Sequence, residues 1–305
     1  MSEQGGDESS DKPCFPTTTL AAVLLDSFNI FLKNLPLYLY IFFFNTLPLS
    51  FLLFSLSLSS RPVTTLVRHL EALALLAPTR FESRHLWKES RREAVSLLRL
   101  RALYLLPSYA LSITAATSAV ASAAAALSGK RPTLATAAAA VRLTWKRTLA
   151  TSICVYGIMM GYNCVRRIAE VTAGEMVAGI LIVAVGDVVD VYLAAVMSLG
   201  LVASIVEERF GWEAIQVGWG EMAKRKVSGW VLSGGFLVMS GVISWELEWC
   251  LKGQDLSEEG GWTALMKWLG QNSSLVCLFG LVVLWSYIVT TVFYFECKRK
   301  HGVNE

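Results

Sequence analysis

Two aspartates, Asp187 and Asp190, lie in the most apolar part of the chain, within the run Gly186-Asp187-Val188-Val189-Asp190. Spaced i and i+3, they share one face of a helix. Carboxylates at bilayer depth are costly, so where they persist they hold a cation, relay a proton or pair with a base. One reading is therefore a cation or proton site in a polar cavity. The plainer reading places the run near an interface, with both acids in water or paired to Arg166 or Arg167.

A second kind of chemistry is electrostatic. Leu134, Ala138, Val141 and Trp145 form a stripe of helical period, with Arg142, Lys146 and Arg147 beside it. Trp212, Ile215, Trp219 and Met222 form another, followed by Lys224, Arg225 and Lys226. Leu20, Leu24, Phe28 and Phe31 make a third, ahead of the first long apolar run. Each reads as a short amphipathic helix lying along a membrane, apolar side in the acyl boundary and cations near lipid phosphates. The alternative is a linker packed on the bundle. Cys297, just before Lys298-Arg299-Lys300, reads as a juxtamembrane thiol suited to reversible palmitoylation, with an unmodified thiol as the alternative.

Soluble-style catalysis finds no support. The three histidines, His69, His85 and His301, have no HExxH partner, and the chain lacks GxSxG, P-loop and CxxC patterns. No enzyme activity, cofactor or metal is expected. Nucleic acid is a poor partner for cations spread over two faces.

The elements that must position these residues are six apolar runs: Leu37–Leu58, Tyr104–Leu127, Thr148–Val165, Asp187–Val206, Val227–Trp249 and Ser273–Phe295. Each approaches the roughly 20 residues a helix needs to cross a bilayer. With 54% hydrophobic and 17% charged residues, the chain lies outside the soluble range. The fold class is an all-α membrane protein of about six transmembrane helices with short interfacial amphipathic helices. The organisation is a disordered tail over 1–16, a membrane domain over 17–297 and a basic tail over 298–305. Ser59–Arg101 reads as the longest loop. Asn45 and Pro48 predict a kink in the first span. From Met176 to Val206 the apolar run exceeds a simple crossing, which predicts one bent helix or a partial dip followed by a crossing, with the break at Gly186–Asp190. Basic residues divide almost evenly between the faces, and the short clusters around Arg142 and Lys298 favour both termini in the cytosol.

TLPLS at Thr46–Ser50 resembles a family, as do SGKRPTLATAAAAVRLTWKRTLAT at Ser128–Thr151, SIVEERFGWEAIQVGWGEMAKRK at Ser204–Lys226 and FYFECKRKHG at Phe293–Gly302. The pattern is similar to plant multi-spanning membrane proteins of unassigned activity, and distantly to the membrane domain beside some bacterial glycerophosphodiester phosphodiesterases. The resemblance implies a helical membrane architecture and a plant endomembrane setting. It carries no catalytic residue, since the diesterase domain is absent. The leading functional expectation is a non-enzymatic protein that organises lipid or binds partner proteins through its basic segments, set in the endoplasmic reticulum or plasma membrane. The alternative is a transporter or channel component using Asp187 and Asp190. Ligand, partner identity and oligomeric state stay open.

Overall fold

The computed structural model describes residues 16–76, 79–172, 176–252, 267 and 270–299, and their regular structure is entirely helical. In chain order the helices are α1 (Pro16–Lys33), α2 (Leu35–Ile41), a π-helical turn (Phe42–Thr46), α3 (Leu47–Leu76), α4 (Arg80–Leu127), α5 (Leu134–Thr172), α6 (Met176–Val206), α7 (Trp212–Lys224), α8 (Lys226–Lys252) and α9 (Ser273–Arg299). Among the described residues, six helical stretches are long and apolar enough to cross a membrane. The protein is an all-α, multi-pass membrane protein. Residues 1–15 and 300–305, which hold most of the expected tails, lie outside the described residues.

The irregularity expected at Asn45 and Pro48 is the π turn. Pro48 has no N–H to give the turn before it, and two hydroxyls add bonds to carbonyls on either side of the gap. Thr46 Oγ1 donates to the Phe42 carbonyl at 3.1 Å, and Ser50 Oγ donates to the Thr46 carbonyl at 2.8 Å. The widened turn packs on α9 at Gly280, where an added Cβ would come within 3.0 Å of Ser50 Oγ.

The Ser59–Arg101 loop is not a loop. α3 continues to Leu76 and α4 begins at Arg80, so the segment is an α-helical hairpin. Thr79 caps α4 by accepting from the Glu82 N–H at 3.3 Å, and Ser83 Oγ reaches across to the Ala74 carbonyl at 3.1 Å. Its charge density suggested a loop, yet Glu, Arg, Lys and Leu are strong helix formers. With 48 residues α4 is about 72 Å long, over twice the ~30 Å hydrocarbon core. The hairpin therefore continues well beyond the bilayer.

The expected break at Gly186–Asp190 is also absent, since α6 runs unbroken from Met176 to Val206. Glycine weakens a helix but removes no backbone hydrogen bond. At Gly186 it makes room instead: an added Cβ would lie 3.0 Å from Arg166 Nε.

The three amphipathic segments fare differently. α1 buries Val23 and Ser27 rather than Phe28, which is half exposed. The segment before the third span is fused to it as one 39-residue helix, α5, with Leu134 and Trp145 exposed. α7 is a separate helix, but its stripe is divided. Ile215 and Met222 are buried in the bundle, while Trp212 and Trp219 stay outside.

That division comes from a close helix crossing. At Gly218 an added Cβ would meet Gly200 N at 2.5 Å and Val196 O at 2.7 Å. Ala214, Ile215 and Gly218 of α7 all meet α6 at Gly200, so α7 crosses α6 there. The chain enters α7 through Gly211 at φ +62°, a conformation glycine takes without steric cost. Around this pair lies the main core: Val196, Leu199 and Val202 of α6, Ile215 and Met222 of α7, and Val289, Val292, Phe293 and Tyr294 of α9.

Candidate functional site

Both aspartates converge on one arginine. Arg166 of α5 donates from Nη2 to Asp187 Oδ1 at 2.7 Å, from Nη1 to Asp190 Oδ2, and from Nε to Glu170 Oε1 at 3.1 Å. Two things aim the guanidinium: the i,i+4 spacing of Arg166 and Glu170 on α5, and the i,i+3 spacing of the aspartates on α6. Gly186 supplies the space, and Tyr162 Oη donates to the Gly186 carbonyl at 2.8 Å, tying the helices together at the same level. The Asp187 side chain is 64% exposed, so its free oxygen faces outward. A guanidinium is never deprotonated in this setting, which makes the cluster a poor proton relay and a good clamp. Arg167 is exposed. Among the described residues no group of three or more His, Cys, Asp or Glu is placed to hold a metal ion.

A second charged cluster closes the other end of α6. Glu207 Oε1 accepts from Tyr294 Oη at 2.5 Å and from Lys298 Nζ at 2.8 Å, while Arg209 Nε lies 3.7 Å from Oε2. Burial raises the Glu207 carboxyl. The hydrogen bonds from Lys298 and Tyr294, with the charges of Lys298 and Arg209, outweigh that and hold it below its ordinary value. Nearby, the buried Gly211 N–H donates to Thr151 Oγ1 of α5 at 2.9 Å, and Arg147 lies 3.9 Å from Glu208. The residues 207–211 therefore join α5, α6, α7 and α9. Sequence reasoning missed this hub, although its signal was present in two charge clusters that follow even-numbered spans and so share a face.

The two clusters set a scale. Arg147 and Arg166 are separated by about 28 Å along α5, and Asp187 and Glu207 by about 30 Å along α6. Both intervals match the thickness of a hydrocarbon core. The Arg166 clamp and the Glu207 hub thus fit the two boundaries of one bilayer.

The hub end also carries free cations. Arg142 and Lys146 are exposed, make no ion pair with a described residue, and flank Trp145, whose ring centroid is 5.7 Å from Lys146 Nζ. Lys226 is exposed and Arg225 half-buried; the Lys224 side chain lies outside the described residues. Trp212, which opens α7 beside the hub, is exposed at this same end, and Trp219 is exposed against Tyr192 of α6. Of the expected basic contacts whose side chains are described, Arg147 has an acidic partner in Glu208.

Cys297 does not offer the thiol that the sequence predicts. It is only 4% exposed, because α9 continues through it to Arg299 and turns the position into the core. An acyl donor cannot reach it in this packing.

Between α4, α5 and α6 lies a cavity of about 290 Å³. Ile113, Ala116, Val155, Met159 and Met197 make its walls mostly apolar. Its polar corner is a hydrogen bond of 2.5 Å between Tyr109 Oη and Ser152 Oγ.

A family model described as a domain of unknown function (DUF8558) matches residues 16–304. The chain belongs to this family. No curated protein and no solved structure matches it. The DUF8558 match takes in every helix from α1 to α9, so clamp, hub and exposed cations all belong to one family domain.

Proposed function

We propose that this DUF8558 protein is a non-enzymatic membrane-organising protein whose basic, tryptophan-bearing end gathers anionic lipid headgroups. The observation that carries the reading is the pair Arg142 and Lys146, exposed beside Trp145 with no acidic partner among the described residues. Tryptophan settles at headgroup level, and neighbouring cations are drawn to lipid phosphates. Arg225 and Lys226, with the exposed Trp212, extend the same end. On this reading both termini share this end, and the positive-inside tendency favours the cytosol of an endoplasmic-reticulum or plasma-membrane setting for it. Transport through Asp187 and Asp190 is the lesser reading, because Arg166 already occupies both carboxylates.

The test is lipid selectivity. The purified protein is placed in nanodiscs of mixed zwitterionic and anionic lipid, and the lipids retained on gentle extraction are counted by mass spectrometry. Each cation near an anionic surface contributes about 1 kcal/mol, so Arg142→Ala with Lys146→Ala should lower anionic enrichment by up to about thirtyfold. Unchanged enrichment in the double variant refutes the proposal.

A further inference from the structure

α4 gathers most of its cations on one side. Arg84, Lys88, Arg91, Arg92 and Arg99 are all exposed and fall within a sector about 100° wide on the helix. Glu82 and Glu93 fall away from it, Glu89 borders it beside Arg92, and Arg101 lies outside it. None of the five cations makes an ion pair or hydrogen bond with a described residue. Arg84, Lys88 and Arg92 follow one another at i,i+4, the arrangement in which like charges weaken a helix. A helix built only to be solvated would alternate the signs. Trp87, Val95 and Leu98 are exposed along the same face, which gives it an apolar seam.

The place of this face matters as much as its charge. It lies on the half of α4 that extends past the bilayer, at the end opposite Arg142 and Lys146, and runs about 22 Å from Arg84 to Arg99. A flat bilayer facing the hairpin tip would touch its first turn and leave the row of cations free. A second copy has no matching acidic face on α3, whose charged residues are Arg61, Arg68, His69 and Glu71. What matches length, charge and seam together is another helix laid alongside.

We infer that the α3–α4 hairpin is a docking rod for an acidic amphipathic helix of a partner protein. Carboxylates of that helix pair with Arg84, Lys88, Arg91, Arg92 and Arg99, and its apolar residues meet Trp87, Val95 and Leu98. Arginine and tryptophan are the residue types that carry most energy at such contacts.

The test uses the full chain in zwitterionic nanodiscs and two fluorescein-labelled synthetic helices of roughly three heptads. One has Glu on its outer positions and Leu at a and d; the other keeps the Glu and replaces Leu by Ser. The Leu helix should bind at least tenfold tighter than the Ser helix. Arg84→Gln, Lys88→Gln, Arg91→Gln and Arg92→Gln together should weaken it by tenfold or more, and Trp87→Ala with Leu98→Ala should erase the preference for Leu. Arg142→Ala with Lys146→Ala should leave both affinities as they were, which separates this outcome from that of the lipid proposal. Equal binding of the two helices, or binding untouched by the Gln changes, overturns the docking rod. So does tighter binding of a duplex RNA, capture of anionic vesicles through the same residues, or self-association that saturates the face.

Discussion

At the scale of single residues, Arg166 decides what Asp187 and Asp190 are. Removing it leaves three carboxylates facing one another, so Arg166→Ala should lower the thermal midpoint of the detergent-solubilised protein. Adding Asp187→Asn and Asp190→Asn should restore most of the loss, and a variant that stays unstable after both changes contradicts the clamp. Glu207 makes a pH prediction. Its carboxyl is held below the ordinary 4.5, so its contribution is present above that value and disappears as the pH falls through the lower folded one. Glu207→Gln should cost about 1–2 kcal/mol near neutrality, and the gap to the native protein should close in acid. Thr151→Val strands the buried Gly211 N–H and should cost about 1–3 kcal/mol, with Thr151→Ser nearly silent. The acids and their arginine were legible in the sequence, because few charged residues adjoin the fourth span. The hub was not, because Glu207, Tyr294 and Thr151 are far apart in the chain and only the packing of α5, α6 and α9 joins them.

At the scale of elements, the six spans could be read from length and hydropathy, while Pro48 pointed to a kink and not to the π turn found beside it. The hairpin could not, because a charged helix beyond the bilayer has the composition of a loop. The α6–α7 crossing was equally hidden, for a glycine states nothing about which backbone approaches it. Gly218→Ala should push α7 off α6 and cost about 1–3 kcal/mol, measured by thermal melting. Gly220→Ala, two residues on with open space around it, should be neutral or slightly stabilising. If both changes behave alike, the close crossing is not what seats α7.

For the whole molecule, the spacing of the two charged clusters gives a depth gauge. A cysteine placed at Asp187 should be labelled by an aqueous maleimide, and one at Tyr156, exposed on α5 halfway between Arg147 and Arg166, should be protected. Equal labelling at both positions would dissolve the gauge. The π turn has a consequence of another kind. It is one surplus residue, and each residue turns a helix by about 100°. Before it, Leu37, Tyr38 and Ile41 look toward Ala119 and Ala123 of α4, with Leu284 and Ile288 of α9. After it, Leu58 looks toward Ile243 and Leu247 of α8, with Val276 of α9. The turn absorbs that surplus locally, so deleting Asn45 should close it into regular α-helix and leave both faces where they are. The first span is in this sense two half-spans whose apolar patterns are offset by one residue in the sequence and brought back into step by the turn.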